Sequence, residues 1–202
     1  MKVGVLAIQG AFAAHAAVLE SIGVAPVEVR RPAHLEGLDG LVLPGGESTT
    51  LSMGLDRAGL TDPLRAFVGS GAPVLGTCAG AILLATQCLD GRSDQVQIGA
   101  LDVVVRRNAF GRQVDSFEVD LEFPALAAGA PPGRSAAPFH GVFIRAPAVE
   151  EVGPSVEVLA RLEGTPVAVA CGSVVATTFH PELAADPRVH EFVLGRSPAG
   201  RR

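Results

Sequence analysis

The chain is poor in the residues that would tie it to several large classes of protein. It has three cysteines, Cys78, Cys88 and Cys171, and no Cys-x-x-Cys pair, so neither a disulfide framework nor a zinc ribbon is indicated. An odd count of free thiols fits a reducing compartment, and a cytoplasmic location is expected. No lysine- or arginine-rich run occurs apart from the terminal Arg201-Arg202, and the net charge is −5, which argues against nucleic acid as a partner. No apolar run approaches the ~20 residues needed to cross a bilayer, so no membrane association is expected. Met1 and Lys2, followed by a mostly apolar stretch to Leu19, imitate a secretory signal only superficially, because Gln9, Gly10 and His15 interrupt it.

What is present is grammar. With 48% hydrophobic residues in 202, one α/β domain over residues 1–196 is expected, with 197–202 as a frayed tail. Lys2 to Ile8 reads as a buried central strand, and Phe12, His15, Ala16, Leu19 and Ile22 fall at helical spacing before Gly23. Val27 to Arg30 and Leu38 to Leu43 follow as strands, giving a β-α-β pattern whose ligand sites lie at the carboxyl ends of the strands. Residues 61–69 read as a surface helix, Leu89 to Asp94 as an exposed loop, and Leu101 to Arg106 and Ser116 to Leu121 as strands. The Pro-, Ala- and Gly-rich stretch 124–138 is expected to be a surface excursion. Gly141 to Arg145 and segments near 156–162, 166–171 and 174–178 add further strands, so the sheet is predicted to be mixed but mostly parallel, with a closing helix at 187–194.

Three stretches carry chemistry. Pro73 to Leu84 reads as strand, tight turn and helix, with Cys78 between Gly76 and Gly80. Small neighbours let such a turn lift its central side chain above the sheet, and the helix start beneath it favours a thiolate. A lone cysteine in an apolar run is equally compatible with a buried small hydrophobe. Pro44-Gly45-Gly46-Glu47-Ser48-Thr49 ends a strand with exposed N–H groups, and Ser48 or Thr49 is placed to cap the next helix. Phe179-His180-Pro181-Glu182 follows a late strand; in an extended segment His180 and Glu182 face one side, so the carboxylate can orient the imidazole. Taken together, Cys78, His180 and Glu182 form a candidate catalytic triad for acyl transfer, with the N–H groups of Gly46 and Ala79 as the candidate oxyanion hole.

Leu43-Pro44-Gly45-Gly46-Glu47-Ser48, Gly76-Thr77-Cys78-Ala79-Gly80 and Phe179-His180-Pro181-Glu182 resemble the three signatures of class I glutamine amidotransferases. More narrowly, Gln9-Gly10, Arg107-Asn108-x-Phe110-Gly111-Arg112-Gln113-x-x-Ser116-Phe117-Glu118 and Gly141 to Pro147 resemble the glutaminase subunits of pyridoxal 5′-phosphate synthases. The resemblance implies a three-layer, flavodoxin-like α/β fold with helices on both faces of the sheet. It also implies hydrolysis of L-glutamine and delivery of ammonia to a separate synthase subunit, a (β/α)8 barrel that makes the vitamin B6 cofactor. Carried over by motif, Gly46, Glu47, Ser48, Arg107, Ile144 and Arg145 hold glutamine, Gln9 lies where the partner docks, and the glutaminase is weak until it does. Neither a cofactor nor a metal is expected.

Two rival readings remain at this level. The glutaminase of another amidotransferase, such as the one feeding histidine biosynthesis, is disfavoured by the segment beginning at Arg107. A non-amidotransferase stress or binding protein of the same elbow fold would have no need of a glycine loop facing a base-orienter pair.

Overall fold

A computed structural model describes residues 1–107, 116–127 and 137–196. The first strand, β1 (Lys2–Leu6), leads to helix α1 (Phe12–Ser21), β2 (Ala25–Val29) and β3 (Gly40–Leu43). Then come α2 (Ser48–Arg57), α3 (Thr61–Gly69), β4 (Val74–Thr77) and α4 (Ala79–Leu84). The middle of the chain supplies β5 (Ala85–Leu89), β6 (Leu101–Arg106), β7 (Phe117–Leu121), α5 (Pro124–Ala127), β8 (Phe139–Phe143) and β9 (Ala148–Val152). It ends with β10 (Glu157–Leu162), β11 (Thr165–Cys171), β12 (Val174–Thr177) and α6 (Arg188–Gly195).

Seven strands form the central sheet in the order β10-β11-β12-β4-β3-β1-β2. From β12 to β2 the pairing is parallel, and β10 and β11 are antiparallel, which is the mixed, mostly parallel sheet expected. Alternation along the central strands splits the interior in two. Leu41, Leu43 and Val74 face one apolar layer with Leu51, Leu55 and Leu64 of the α2–α3 side, whereas Val42 and Leu75 face another with Leu19, Val189 and Val193 of α1 and α6. Helices therefore cover both faces. Burying both faces of a parallel sheet is what makes its strands read as continuous apolar runs.

Three expectations are corrected. The helix after Cys78 ends at Leu84, as read from the sequence, but Ala85 then turns to extended backbone and starts an unforeseen strand, β5, beside β6. Leu89 thus belongs to a strand and not to the loop that follows. The start of the 124–138 excursion is not loose surface: Pro124–Ala127 forms a helical turn, and Phe123 and Leu126 are buried in the second apolar layer. Finally, the strand expected to run through Arg145 stops at Phe143. The expected tail at 197–202 and most of the Arg107 to Gln113 connector lie outside the described residues.

Candidate active site

Strand β4 ends at Thr77 and α4 begins at Ala79, so Cys78 carries the whole turn, with φ 48° and ψ −101°. A side chain in that region of backbone space stores strain on the order of 1–3 kcal/mol. The turn persists because both sides over-determine it: the Cys78 N–H donates to Thr177 O at 2.8 Å, and Cys78 O accepts from Ile82 N at 3.2 Å. Space explains the flanking glycines. A Cβ on Gly76 would press on Leu84 and the Gly80 backbone, and one on Gly80 would run into the Leu43 carbonyl.

Register delivers the second group. Thr177 pairs with Thr77 across β12 and β4, and three residues later the chain reaches His180, whose N–H donates to Val142 O at 2.8 Å. His180 Nδ1 lies 2.8 Å from Glu182 Oε1, and both residues are buried. The pair is not made by extended backbone, as the spacing suggested, because Pro181–Leu183 is a turn of 3-10 helix that folds the carboxylate back to the ring. Burial disfavours the His180 imidazolium, but hydrogen bonds to Cys78 and Glu182 and electrostatic attraction to both outweigh it and raise His180 to about 10. For Glu182, burial pushes the carboxyl up, yet the hydrogen bond from His180 and the neighbouring histidines hold it below the usual range.

The glycine loop after β3 is fixed from three sides. The Gly45 N–H donates to Thr77 Oγ1 at 2.9 Å, Ala11 N–H donates to Gly45 O at 3.2 Å, and Gln9 Nε2 donates to Glu47 O at 2.9 Å. The helix cap differs from expectation. Neither Ser48 nor Thr49 caps α2; Glu47 does, accepting from Thr49 N at 3.0 Å and from Thr50 N at 2.7 Å. Burial opposes ionisation of Glu47, but the Thr50 and Thr49 hydrogen bonds hold its carboxyl at about 2. Arg107 joins this cluster, donating to Glu47 Oε1 at 3.0 Å and to Thr49 Oγ1 at 3.1 Å.

A cleft of roughly 120 Å³ opens over the cysteine. That is somewhat less than the about 150 Å³ of a cavity that binds benzene, so the cleft takes one small group at a time. Cys78, His180, Gly46, Glu47, Ser48, Arg107, Ile144 and Arg145 all line it, so residues spread over a hundred positions meet in one place. Ala79 follows Cys78 as the first residue of α4, and Ile144 O lies 4.0 Å from Cys78 Sγ. Arg145, past the end of β8 with φ 44°, is exposed and has no hydrogen-bond or ion-pair partner among the described residues. Gln9 sits one layer away, its amide over Gly46. No group of three or more His, Cys, Asp or Glu suited to a metal occurs among the described residues, and no described helix is long and apolar enough to cross a membrane.

Sequence reasoning missed Ile82 and Pro147 in the cleft wall, and Thr77, His15 and His190 behind it. His15 had a signal, an apolar helix face, but nothing paired it with His190. Burial lowers His15 to about 4 and His190 to about 3, so both are neutral in the folded chain. The unfolded chain therefore binds more protons once the pH drops below 6.5, and stability is lost toward pH 4 and 3. His180 is shifted the other way, so its contribution is complete below 6.5 and lost as the pH rises toward 10. Urea midpoints measured across this range are expected to peak near pH 6.5 and fall on both sides; a midpoint that keeps rising from 6.5 to 9 would contradict the His180 assignment.

Residues 5–197 match the SNO glutamine amidotransferase family. The chain is 55% identical to the pyridoxal 5′-phosphate synthase subunit PdxT of Frankia alni, over 99% of this chain and 98% of that protein. It is 52% identical to the PdxT subunit of Corynebacterium jeikeium, over 96% and 95% of the two chains. A crystal structure described as a glutamine amidotransferase superposes with a TM-score of 0.87 at 47% identity, covering 96% of this chain and 98% of that one. The PurLQS structure from Thermotoga maritima, at 16% identity and a TM-score of 0.71 over 96% of this chain and 97% of that one, shares the fold alone. With matches of this extent and identity over nearly its whole length, the chain belongs to the SNO glutamine amidotransferase family.

Proposed function

We propose that this chain is the glutaminase of a pyridoxal 5′-phosphate synthase: it hydrolyses L-glutamine to L-glutamate and ammonia and passes the ammonia to a barrel synthase subunit. The observation that carries the reading is the single cleft in which a strained Cys78, a His180–Glu182 pair 2.8 Å apart and the glycine loop converge. Cys78 Sγ attacks the side-chain amide carbon of glutamine, and His180 takes the thiol proton. Raised to about 10, His180 keeps that proton at neutral pH, and it passes it to the departing nitrogen as the thioester forms. Water then attacks the thioester carbonyl, with His180 as base, and glutamate leaves. Developing negative charge on the carbonyl oxygen is met by the N–H groups of Gly46 and Ala79, each worth about 3 kcal/mol.

For substrate recognition, Arg107 is committed to Glu47 and Thr49, so it stiffens the cleft wall. Arg145, whose guanidinium has no partner among the described residues, meets the α-carboxylate of glutamine in the cleft it lines with Ile144, Ser48 and Glu47. Gln9, exposed in part beside the glycine loop, is assigned to the partner interface. The three cysteines are all free thiols, in keeping with a reaction in the cytoplasm.

Ammonia release from glutamine, measured for the chain alone and with saturating synthase subunit, tests the whole reading. Turnover that rises on complex formation and labels pyridoxal 5′-phosphate from amide-¹⁵N glutamine is expected; a complex that makes the cofactor only from free ammonia would overturn it. A narrower test is Glu182→Gln, which keeps an acceptor for His180 Nδ1–H but loses the charge that stabilises its cation. Glutamine affinity is expected to stay within a few-fold while kcat drops by at least about tenfold; unchanged kcat would remove Glu182 from the triad.

A further inference from the structure

Behind Glu182 lies a buried polar chain that the hydrolysis as described does not use. His15 of α1 is fully buried, with Nδ1 2.9 Å from Nε2 of His190 on α6. Its Nε2 is shared between Thr77 Oγ1 at 3.2 Å and Glu182 Oε2 at 3.3 Å, the first being the better aligned hydrogen bond. Glu182 Oε2 makes no hydrogen bond among the described residues, with His15 Nε2 facing it at 3.3 Å, and the buried Nδ1 of His190 makes none either.

These contacts select one tautomer. A bare His15 Nε2 would aim its lone pair at a buried carboxylate oxygen, so Nε2 carries the proton and Nδ1 is the acceptor. His190 must then donate through Nε2–H, which leaves its Nδ1 as the bare nitrogen. That is the less costly orphan, since an unused acceptor is better tolerated in an interior than an unpaired N–H. In that tautomer the donors run from His190 to His15 to the Thr77 hydroxyl, with Glu182 Oε2 facing the same N–H at 3.3 Å, while Glu182 Oε1 receives the Nδ1–H of His180. Thr77 also accepts the Gly45 N–H, so the same histidine braces the glycine loop.

We propose that His15 is a positioning residue for glutamine hydrolysis: its Nε2–H, bonded to Thr77 Oγ1 and facing the second oxygen of Glu182 at 3.3 Å, keeps the first oxygen aimed at His180, and His190 locks the tautomer in which His15 can do so. The inference rests on the glutaminase reading above. Without His15 the buried anionic Oε2 would lose the N–H that faces it at 3.3 Å, and the carboxylate would be free to rotate away from the imidazole. Loss of such an outer partner ordinarily lowers activity about 10- to 100-fold.

The test uses the chain in complex with its synthase subunit and compares His15→Gln, His15→Asn and His15→Leu. A glutamine amide N–H reaches the place of Nε2, whereas an asparagine amide N–H reaches only that of Nδ1, facing His190. Expected is a kcat within about threefold of wild type for His15→Gln and about 10- to 100-fold lower for His15→Asn and His15→Leu, with KM within about twofold throughout. A purely structural role would move stability and KM and treat Asn and Gln alike. Equal kcat for Gln and Asn, or a His15→Leu enzyme within twofold of wild type, overturns the proposal; if His15→Leu does not fold, the Asn–Gln comparison decides. Wild-type hydrolysis that survives Cys78→Ser would instead show that the glutaminase reading of the cleft is wrong.

Discussion

Replacing Cys78 by serine or alanine is expected to abolish glutamine hydrolysis, lowering kcat by at least about three orders of magnitude, while the fold and glutamine binding survive. The size follows from the role: without the thiol no thioester forms, and what remains is water attacking an amide polarised by two N–H groups. Survival of the fold follows from geometry. Cys78 is held by its own backbone, through Thr177 O and Ile82 N, so the side chain can shrink without releasing the turn. Ammonia release by Cys78→Ala above about a hundredth of the wild-type rate would overturn the assignment. The same residue allows a second measurement in the opposite direction. At φ 48° and ψ −101° the backbone suits glycine, so Cys78→Gly is expected to be inactive yet no less stable than Cys78→Ala, even though glycine ordinarily costs about 0.5–1 kcal/mol in flexibility.

The other large effect is expected from a residue that never touches substrate. Gly10→Ala should lower kcat about 10²- to 10³-fold, the value of one oxyanion donor. Gly10 has φ 93°, and a Cβ built on it would overlap the carbonyl oxygen of Gly45. That carbonyl is held by Ala11 N–H, and all peptide bonds among the described residues are trans, so the Gly46 N–H points to the opposite side of the same peptide. Pushing the oxygen away turns the donor with it. Gly23→Ala provides the control: its φ of 75° makes alanine comparably strained, but nothing lies within 4 Å of the added carbon. Gly23→Ala should therefore lose about 1 kcal/mol of stability and no activity. Equal kcat for the two variants would show that the loop tolerates displacement of Gly45. The neighbouring Gln9 hangs on the same loop through Glu47 O, so a partner docking at Gln9 would bear directly on this peptide.

The local motifs were legible because each completes its chemistry within a few residues. Gly76-x-Cys78-x-Gly80 announces a sharp turn by its small side chains, and Pro44-Gly45-Gly46 ends a strand with free N–H groups. His180-Pro181-Glu182 places base and acid in reach of each other, although proline turned the chain into 3-10 helix where period-two spacing suggested a strand. The cap of α2 shows the limit even locally. Ser48 and Thr49 are good caps by type, but Glu47 reaches the same N–H groups and is held there by Arg107, whose approach depends on the fold bringing the end of β6 to the start of α2.

What the sequence by itself determined was the alternation of apolar strands and amphipathic helices, and with it the mostly parallel sheet and the edge at which Cys78, His180 and the glycine loop would gather. Only the tertiary structure decided how Glu182 is supported. His15 and His190 lie 175 residues apart and read, one by one, as ordinary positions on two helix faces. Their pairing exists because α1 and α6 cover the same face of the sheet, one packing Leu19 and the other Val189 and Val193 into a shared layer. A buried hydrogen bond between distant helices has no period and no local spacing, so it becomes visible only when the sheet has brought the two faces together.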